Sequence, residues 1–346
     1  MASNGTSYTV GSLFAGVGGI CQAFRNAACK IAWANELDDN SRRTYLANHP
    51  DITFTSNHDV QQITRDNTGS VDILTAGFPC QPFSQAGRAK GFDDPRGHLF
   101  FDVVRLMGEL APRAYFLENV KTLATHHNGE SFSVVATEIE KAGYSFIPFI
   151  LRASEYSDIP QGRERIFIVG FRGEKSFRYQ APIKINDLRD LDRAPLSSNF
   201  TIPPPLGKAP RPVVDFLEPE TAEPSDFYGD TNSKVHQRVR DAVTKPGIVY
   251  QYRRWFVREN KSNVCPTLTA NMGLGGHNIP IVLDKPFPRR LSPKECFNLQ
   301  GFKDFKIPAD VSKVHLYRQC GNSVVVPLVE KIAREIVRVL NEKRSR

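Results

Sequence analysis

Short apolar runs alternate with longer stretches of helical periodicity through the first half of the chain. Tyr8-Thr9-Val10-Gly11-Ser12-Leu13-Phe14 predicts a first strand, with Ala15-Gly16-Val17-Gly18-Gly19 as the turn after it. A helix-compatible stretch runs from Ile20 to about Ala28, and Ile31-Ala32-Trp33-Ala34-Asn35 predicts a second strand ending in Glu36. Val71 to Ala76 reads as a buried strand stopped by the Gly77-Phe78-Pro79 turn. Leu99, Phe100, Val103, Val104, Met107 and Leu110 then recur at helical spacing until Pro112. Ala114-Tyr115-Phe116-Leu117 predicts a strand running into Glu118-Asn119-Val120, and a helix around Phe132, Val135, Ala136 and Ile139 closes at Gly143. Two more strand-like runs follow, Ser145 to Leu151 and Ile166 to Phe171. Strands alternating with helices predict an α/β fold with a mostly parallel sheet.

The alternation stops near Gly173. Pro195 to Pro224 carries eight prolines and many acids, which reads as a connecting segment rather than core. Ser292-Pro293-Lys294-Glu295 has the form of a capped helix start. A last amphipathic helix follows Gly321-Asn322-Ser323-Val324, through Leu328, Ile332, Ile336 and Val339. The 346 residues suffice for one large domain or two unequal ones. No apolar run has membrane-spanning length, and Met1 to Ser7 has no export-signal pattern. Six cysteines without a Cys-x-x-Cys spacing suggest reduced thiols in a cytosolic or nuclear protein, and argue against a cysteine-based zinc site. The net charge of +8 tilts the partner towards a polyanion. Residues 234–261 hold eight Lys or Arg against Asp241 and Glu259, with aromatics interleaved in Tyr250-Gln251-Tyr252-Arg253-Arg254-Trp255. That pattern fits a nucleic-acid surface; a solvated basic face is the alternative.

Candidate chemistry gathers at predicted strand ends. Cys80 follows the Val71–Ala76 strand, where a ligand can approach, although a lone cysteine also serves as a small buried hydrophobe. Glycines at a βα turn let the backbone approach a ligand, and Glu36 at the next strand end suits ribose hydroxyls. Cys21 stands where the dinucleotide fingerprint has its third glycine. That disfavours nicotinamide and flavin cofactors and leaves an adenosyl ligand open. Asp59 could take an adenine amino group or lie in an exposed loop. The polar stretch 85–97, with Arg88, Lys90 and Arg96, suits a cationic lid. Glu118 ends a strand where open α/β sheets keep their chemistry, and Arg163 and Arg165 alternate into another strand, so both guanidinium forks would face one ligand.

The order of these motifs resembles the DNA (cytosine-5) methyltransferases of bacterial restriction–modification systems. The matching pieces are Leu13 to Gly19, Gly77 to Ser84, Glu118-Asn119-Val120, Gln161 to Arg165, Arg290 to Cys296 and Gly321 to Val324, spanning nearly the whole chain. The resemblance implies a Rossmann-like S-adenosylmethionine-dependent fold plus a smaller irregular target-recognition domain. Residues 1–172 and 289–346 would form the catalytic domain, and 173–288 the recognition domain with its proline-rich connector. By resemblance, Cys80 adds to carbon 6 of a cytosine flipped out of duplex DNA, Glu118 serves N3, Arg163 and Arg165 match the family's arginine pair with Arg165 in particular contacting the base carbonyl, and Asn119 orders the site. Phe14, Gly16, Val17, Gly18, Glu36, Leu37, Asp59, Val60, Pro79, Leu99 and Asn322 would form the S-adenosylmethionine pocket, and the terminal helix would bring Asn322 beside the Phe14 loop. Gln81, Ser84, Arg96, Arg253, Arg254 and Thr267 would touch DNA. No metal is implied. The resemblance further implies a monomer acting on double-stranded DNA, cytoplasmic in a bacterium or nuclear in a eukaryote, sharing its site with a cognate restriction endonuclease.

Two other readings share the scaffold. The transfer-RNA branch of cytosine-5 methyltransferases has two prolines before its cysteine and a cysteine-phenylalanine-threonine tripeptide; here the cysteine follows Phe78-Pro79 and the tripeptide is missing. A catalytically idle DNA-binding homologue would have lost the cysteine or the glutamate, and both are present. A nicotinamide oxidoreductase is the weakest option.

Overall fold

The computed structural model describes residues 7–79, 99–174, 188, 199–253, 255–272, 274 and 278–344. Six strands form the main sheet: β1 (Thr9–Leu13), β2 (Lys30–Ala34), β3 (Ile73–Ala76), β4 (Ala114–Val120), β5 (Ile147–Arg152) and β6 (Glu164–Phe171). Their order is β2-β1-β3-β4-β6-β5. β1 pairs in parallel with β2 and β3, and β3 with β4, whereas β6 runs antiparallel to both β4 and β5. The expected mostly parallel α/β sheet is therefore present. The strands β1, β3 and β4 are almost wholly buried because helices cover the sheet, which is why their sequences read as apolar runs rather than alternations.

The topology gathers loops at one edge. β1 to β4 end there with Phe14, Asn35-Glu36, Gly77 and Glu118 to Val120, and the antiparallel β6 begins there with Glu164-Arg165. In that register Val120 sits opposite Arg165 and Glu118 opposite Phe167. Side chains of directly paired residues, and of residues two apart, share a face, so Glu118 and Arg165 point to the same side of the sheet. The chain returns to this edge at its end. The last helix, Val326–Arg344, buries Leu328, Ile332, Ile336 and Val339. It packs on the first helix, Gly19–Asn26, where Glu330 Oε2 accepts from Asn26 Nδ2 at 2.9 Å and Arg334 donates to the Asn26 carbonyl at 2.6 Å.

A second sheet, in the order β10-β9-β7-β8, comprises β7 (Tyr250–Arg253), β8 (Phe256–Glu259), β9 (Pro280–Asp284) and β10 (Phe287–Arg290), all antiparallel. Its own small core holds Tyr228, Val239, Val243, Tyr250, Tyr252 and Ile281. Backbone bonds join the parts, among them Gly162 N donating to the Cys265 carbonyl at 2.8 Å and Cys265 N to the Pro160 carbonyl at 2.6 Å. Arg289 locks the junction. Its wholly buried guanidinium holds both oxygens of wholly buried Glu295 at 2.8 Å and Asp284 at 2.6 Å. Glu295 also closes the predicted capping box with Ser292.

The proline-rich segment departs from expectation. It is not a linker: Phe200, Ile202, Val213 and Phe216 are buried in the main core, and the Phe200 ring lies 5.8 Å from Phe149 and 6.2 Å from Phe171. Proline brings no N–H that needs a partner, so an irregular strap can lie on apolar side chains without orphaning donors.

Candidate active site

Above the carboxyl edge of β1, β3 and β4 lies a cavity of about 340 Å³, the lower end of the range for a single organic ligand. Phe14, Gly16, Val17, Glu36, Pro79, Glu118, Arg163, Arg165 and Asn322 all line it, so the structure brings together nine residues singled out from the sequence. Asn322 indeed lies across from the Phe14 loop.

The floor is the glycine turn. Phe14, Gly16 and Gly18 have φ of 52°, 55° and 89°. Glycine adopts this left-handed conformation without strain; for Phe14 it is a costly one that the packing around it must hold. Glu36 fixes the turn, accepting from Gly16 N with Oε2 and from Asp38 N with Oε1, both at 2.9 Å. Burial pushes the Glu36 carboxyl up, opposed by those two N–H donors. Asn35, buried beneath it, donates to Thr55 Oγ1 and to the Asn57 and His58 carbonyls, tying the second strand end to the next loop.

On the opposite side stand Glu118 and Arg165. Glu118 is 7 % exposed, and Arg165 Nε lies 3.0 Å from its Oε1. The contact is an ion pair without hydrogen-bond alignment, and Oε1 has no hydrogen-bond partner. Asn119, 1 % exposed, donates from Nδ2 to the Phe78 carbonyl at 3.3 Å, linking the end of β4 to the turn that precedes Cys80. Cys80 itself lies outside the described residues, as do Gln81, Ser84, Arg96, Arg254 and the stretch 85–97. The five described cysteines are all buried. Burial pushes the Cys21, Cys265 and Cys296 thiols up, and Cys29 to about 12, so these four are poor nucleophiles at neutral pH.

The alternation suggested that both forks face one ligand; both side chains line the cavity, but the Arg163 fork is engaged by the protein itself. Arg163, 3 % exposed, donates from one guanidinium nitrogen to the Leu268 carbonyl at 2.9 Å and from the other to the Gly321 carbonyl at 3.1 Å. Its fork thus ties the entry to β6 to the Thr267-Leu268-Thr269 segment and to the end of the helix Lys313–Asn322. Thr267 is occupied similarly, its hydroxyl donating to the Gly162 carbonyl at 3.0 Å.

Several expected pocket residues lie outside the cavity wall. Gly18 is the N-cap of the first helix. Leu37 is 70 % exposed, Val60 is buried, and Leu99 packs half-buried against the core. Asp59 accepts from Gln61 N at 3.0 Å, capping the turn Val60–Gln62. Arg253 is exposed at the tip of the β7–β8 hairpin, next to Trp255 at 78 % and Phe256 at 58 % exposure. Sequence reasoning missed His315, Arg318, Gln319 and Ser323, which also line the cavity. The first three share i, i+3, i+4, i+7 spacing with Asn322, a helical face that was there to be read.

An adenosyl ligand fits this wall. The Ser323 hydroxyl, beside Asn322, is buried without a hydrogen-bond partner, as expected of a group awaiting a polar ligand. The chain is 40% identical over 330 residues to the type II methyltransferase M.Bsp6I of Bacillus sp. (strain RFL6), covering 94% of this chain and 98% of that protein. It is 37% identical to the type II methyltransferase M.NlaX of Neisseria lactamica, covering 96% of this chain and 97% of that one. Among solved structures, a mutant of Spodoptera frugiperda DNMT2 shares the fold with a TM-score of 0.68 at 19% identity, over 97% of this chain and 100% of that chain. Residues 8–338 match the sequence family described as C-5 cytosine-specific DNA methylase, and the chain belongs to that family.

Proposed function

We propose that this DNA cytosine-5 methyltransferase attacks carbon 6 of an extrahelical cytosine with Cys80, with S-adenosylmethionine as methyl donor. What carries the reading is the meeting of Glu118 and Arg165 with the Glu36-braced glycine turn in one cavity, which Pro79, the residue before Cys80, also lines. Bound there, S-adenosylmethionine supplies an electrophilic methyl group. Phe14, Gly16, Val17, Glu36, Asn322 and Ser323 would hold it, Glu36 through lone pairs not engaged by Gly16 and Asp38.

Carbon 5 of cytosine is a weak nucleophile. When the Cys80 thiolate forms a bond to carbon 6, the ring's electron pair is released towards carbon 5 and negative charge builds towards N3. Glu118 faces the ring edge, accepting from the exocyclic amine and holding the proton at N3 as that charge develops. Arg165 keeps the Glu118 carboxyl in place and donates to the base carbonyl. Asn119, through the Phe78 carbonyl, sets the turn that delivers Cys80. Arg163 acts as a positioning residue through the two carbonyls it bridges. The cytosine must leave the duplex to reach this cavity, at a cost of a few kcal/mol. The antiparallel sheet, with Arg253, Trp255 and Phe256 exposed, forms the DNA-reading part of residues 173–288, and the resemblance assigns Arg254, Gln81, Ser84, Arg96 and Thr267 to DNA contact as well. We further assign the enzyme to the modification arm of a restriction–modification pair, acting as a monomer.

Trapping tests the reading. Duplex DNA carrying 5-fluorocytosine, incubated with the protein and S-adenosylmethionine, is expected to give a denaturation-resistant complex that Cys80→Ser abolishes. Fluorine at carbon 5 cannot leave as a proton does, so the adduct persists. A cross-link that survives Cys80→Ser would overturn the assignment. So would one that forms only on RNA.

A further inference from the structure

One face of the helix Lys313–Asn322 turns towards the cavity. His315, Arg318, Gln319 and Asn322 line it at i, i+3, i+4 and i+7. The opposite face is anchored: Leu316, Tyr317 and Cys320 are buried, the Tyr317 hydroxyl donates to the Leu291 carbonyl at 2.7 Å, and Gln300 donates to the Cys320 carbonyl at 2.8 Å. The lining face therefore cannot roll away to find partners elsewhere.

Gln319 is 5 % exposed, and neither its amide nitrogen nor its oxygen has a hydrogen-bond partner. Buried carboxamides are nearly always paired, and an orphan in a cavity wall points to a ligand. The cations tell the same story. Among the four cationic or titratable nitrogen side chains in the wall, Arg163 is held by two carbonyls and Arg165 by Glu118. Among the described residues, Arg318 and His315 have neither ion pair nor hydrogen bond. Arg318 is exposed at the mouth. The stripe leads from Asn322, beside the Phe14 loop, back to Lys313, which pairs with Asp226 at 2.7 Å and Glu223 at 3.0 Å beside the second sheet.

A nucleotide whose base docks its edge against the paired Glu118 and Arg165 leaves its phosphate at the mouth. We propose that Arg318 and Gln319, with His315 beside them, bind the phosphodiester flanking the flipped cytosine: Arg318 supplies the charge and the Gln319 amide N–H a directed hydrogen bond. This rests on the reading that a cytosine nucleotide enters the cavity. It gives the helix a substrate-holding role distinct from the cofactor wall at Asn322 and Ser323.

The test uses the duplex captured by trapping, with affinity measured across a salt series for the wild type, Arg318→Ala, Arg318→Lys and Gln319→Leu. Loss of one phosphate contact lowers the slope of log K against log salt by about one, so Arg318→Ala is expected to lose that much and Arg318→Lys to recover it. Gln319→Leu keeps the volume and removes the orphan amide. It is expected to hold or raise the melting temperature while weakening DNA binding about tenfold. A methylphosphonate at the flanking phosphate should weaken wild-type binding and leave Arg318→Ala no weaker than before. S-Adenosylmethionine affinity measured without DNA is expected to be unchanged in every variant. An unchanged salt slope in Arg318→Ala, or cofactor affinity falling in step with DNA affinity, overturns the proposal. Wild-type trapping is the control that separates the layers: if it fails, the reading beneath is wrong, and if it succeeds beside an unchanged slope, only the phosphate site is.

Discussion

Arg163 is the residue for which sequence pattern and structure give opposite experimental expectations. As a base contact, its loss would abolish activity and leave the fold alone. In the structure its guanidinium is 3 % exposed and bridges the Leu268 and Gly321 carbonyls at 2.9 and 3.1 Å. Arg163→Met keeps most of the stem packing and removes both links. A hydrogen bond to a charged group contributes about 1.5–3 kcal/mol, so two amount to roughly 3–6 kcal/mol. At about 2 °C per kcal/mol for a chain of this size, the melting temperature should fall by roughly 6–12 °C. Arg163→Lys, whose ammonium reaches one carbonyl and not both, should fall about half as far. Transfer should suffer mainly through a raised KM for DNA, because the Thr267–Thr269 segment loses its tether. Arg165→Ala is the contrast: it removes the ion pair to Glu118 but no tether between distant segments, shifts the melting temperature by only a few degrees, and lowers kcat at least about 100-fold. The assay pairs calorimetry with single-turnover transfer. An Arg163→Met protein that melts like the wild type yet cannot form the 5-fluorocytosine cross-link would refute the tether and restore the base contact.

Two other perturbations follow from packing and burial. Burial, reinforced by the Arg25 guanidinium, lowers the His49 pKa to about 4, so the folded protein holds this imidazole neutral. The stability it gives is complete above the unfolded value near 6.5 and is lost as pH falls towards 4; chemical denaturation at pH 7 and pH 5 should show this loss shrinking in His49→Gln, and an equal loss in both proteins would count against it. At Gly321, an added Cβ would stand 2.1 Å from the Thr269 carbonyl carbon and 2.2 Å from Ala270 N. Backbone cannot rotate aside as a side chain can, so Gly321→Ala should destabilise by about 1–3 kcal/mol and weaken DNA binding; wild-type melting and affinity would show that the segments are not in contact.

The parts of the site that could be read from sequence are those fixed by position along a strand. Glu118 closes an apolar run, and a residue closing a parallel strand must stand at the carboxyl edge, whatever else the chain does. The same holds for Glu36 after β2 and for the glycine turn after β1. Arg163 escaped because period two holds only inside a strand, and β6 begins at Glu164. One residue earlier, the Gly162–Cys265 backbone bond has already drawn the chain out of the sheet, and Arg163 turns towards Leu268 instead. Asp59 was ambiguous for another reason: one of its carboxylate oxygens caps Gln61 N, two residues away, and a capping aspartate looks like any loop aspartate in sequence. Proline content misled at 195–224, since a residue that interrupts regular structure is still apolar surface when a core lies beneath it. Gln319 is the most instructive miss. Its burial is imposed by Tyr317 and Cys320 reaching Leu291 and Gln300, both distant in sequence, and only that anchoring turns an ordinary helical glutamine into a polar group held against the cavity. Residues whose role is set by their own strand end were legible, whereas those whose role is set by a partner far along the chain required the fold.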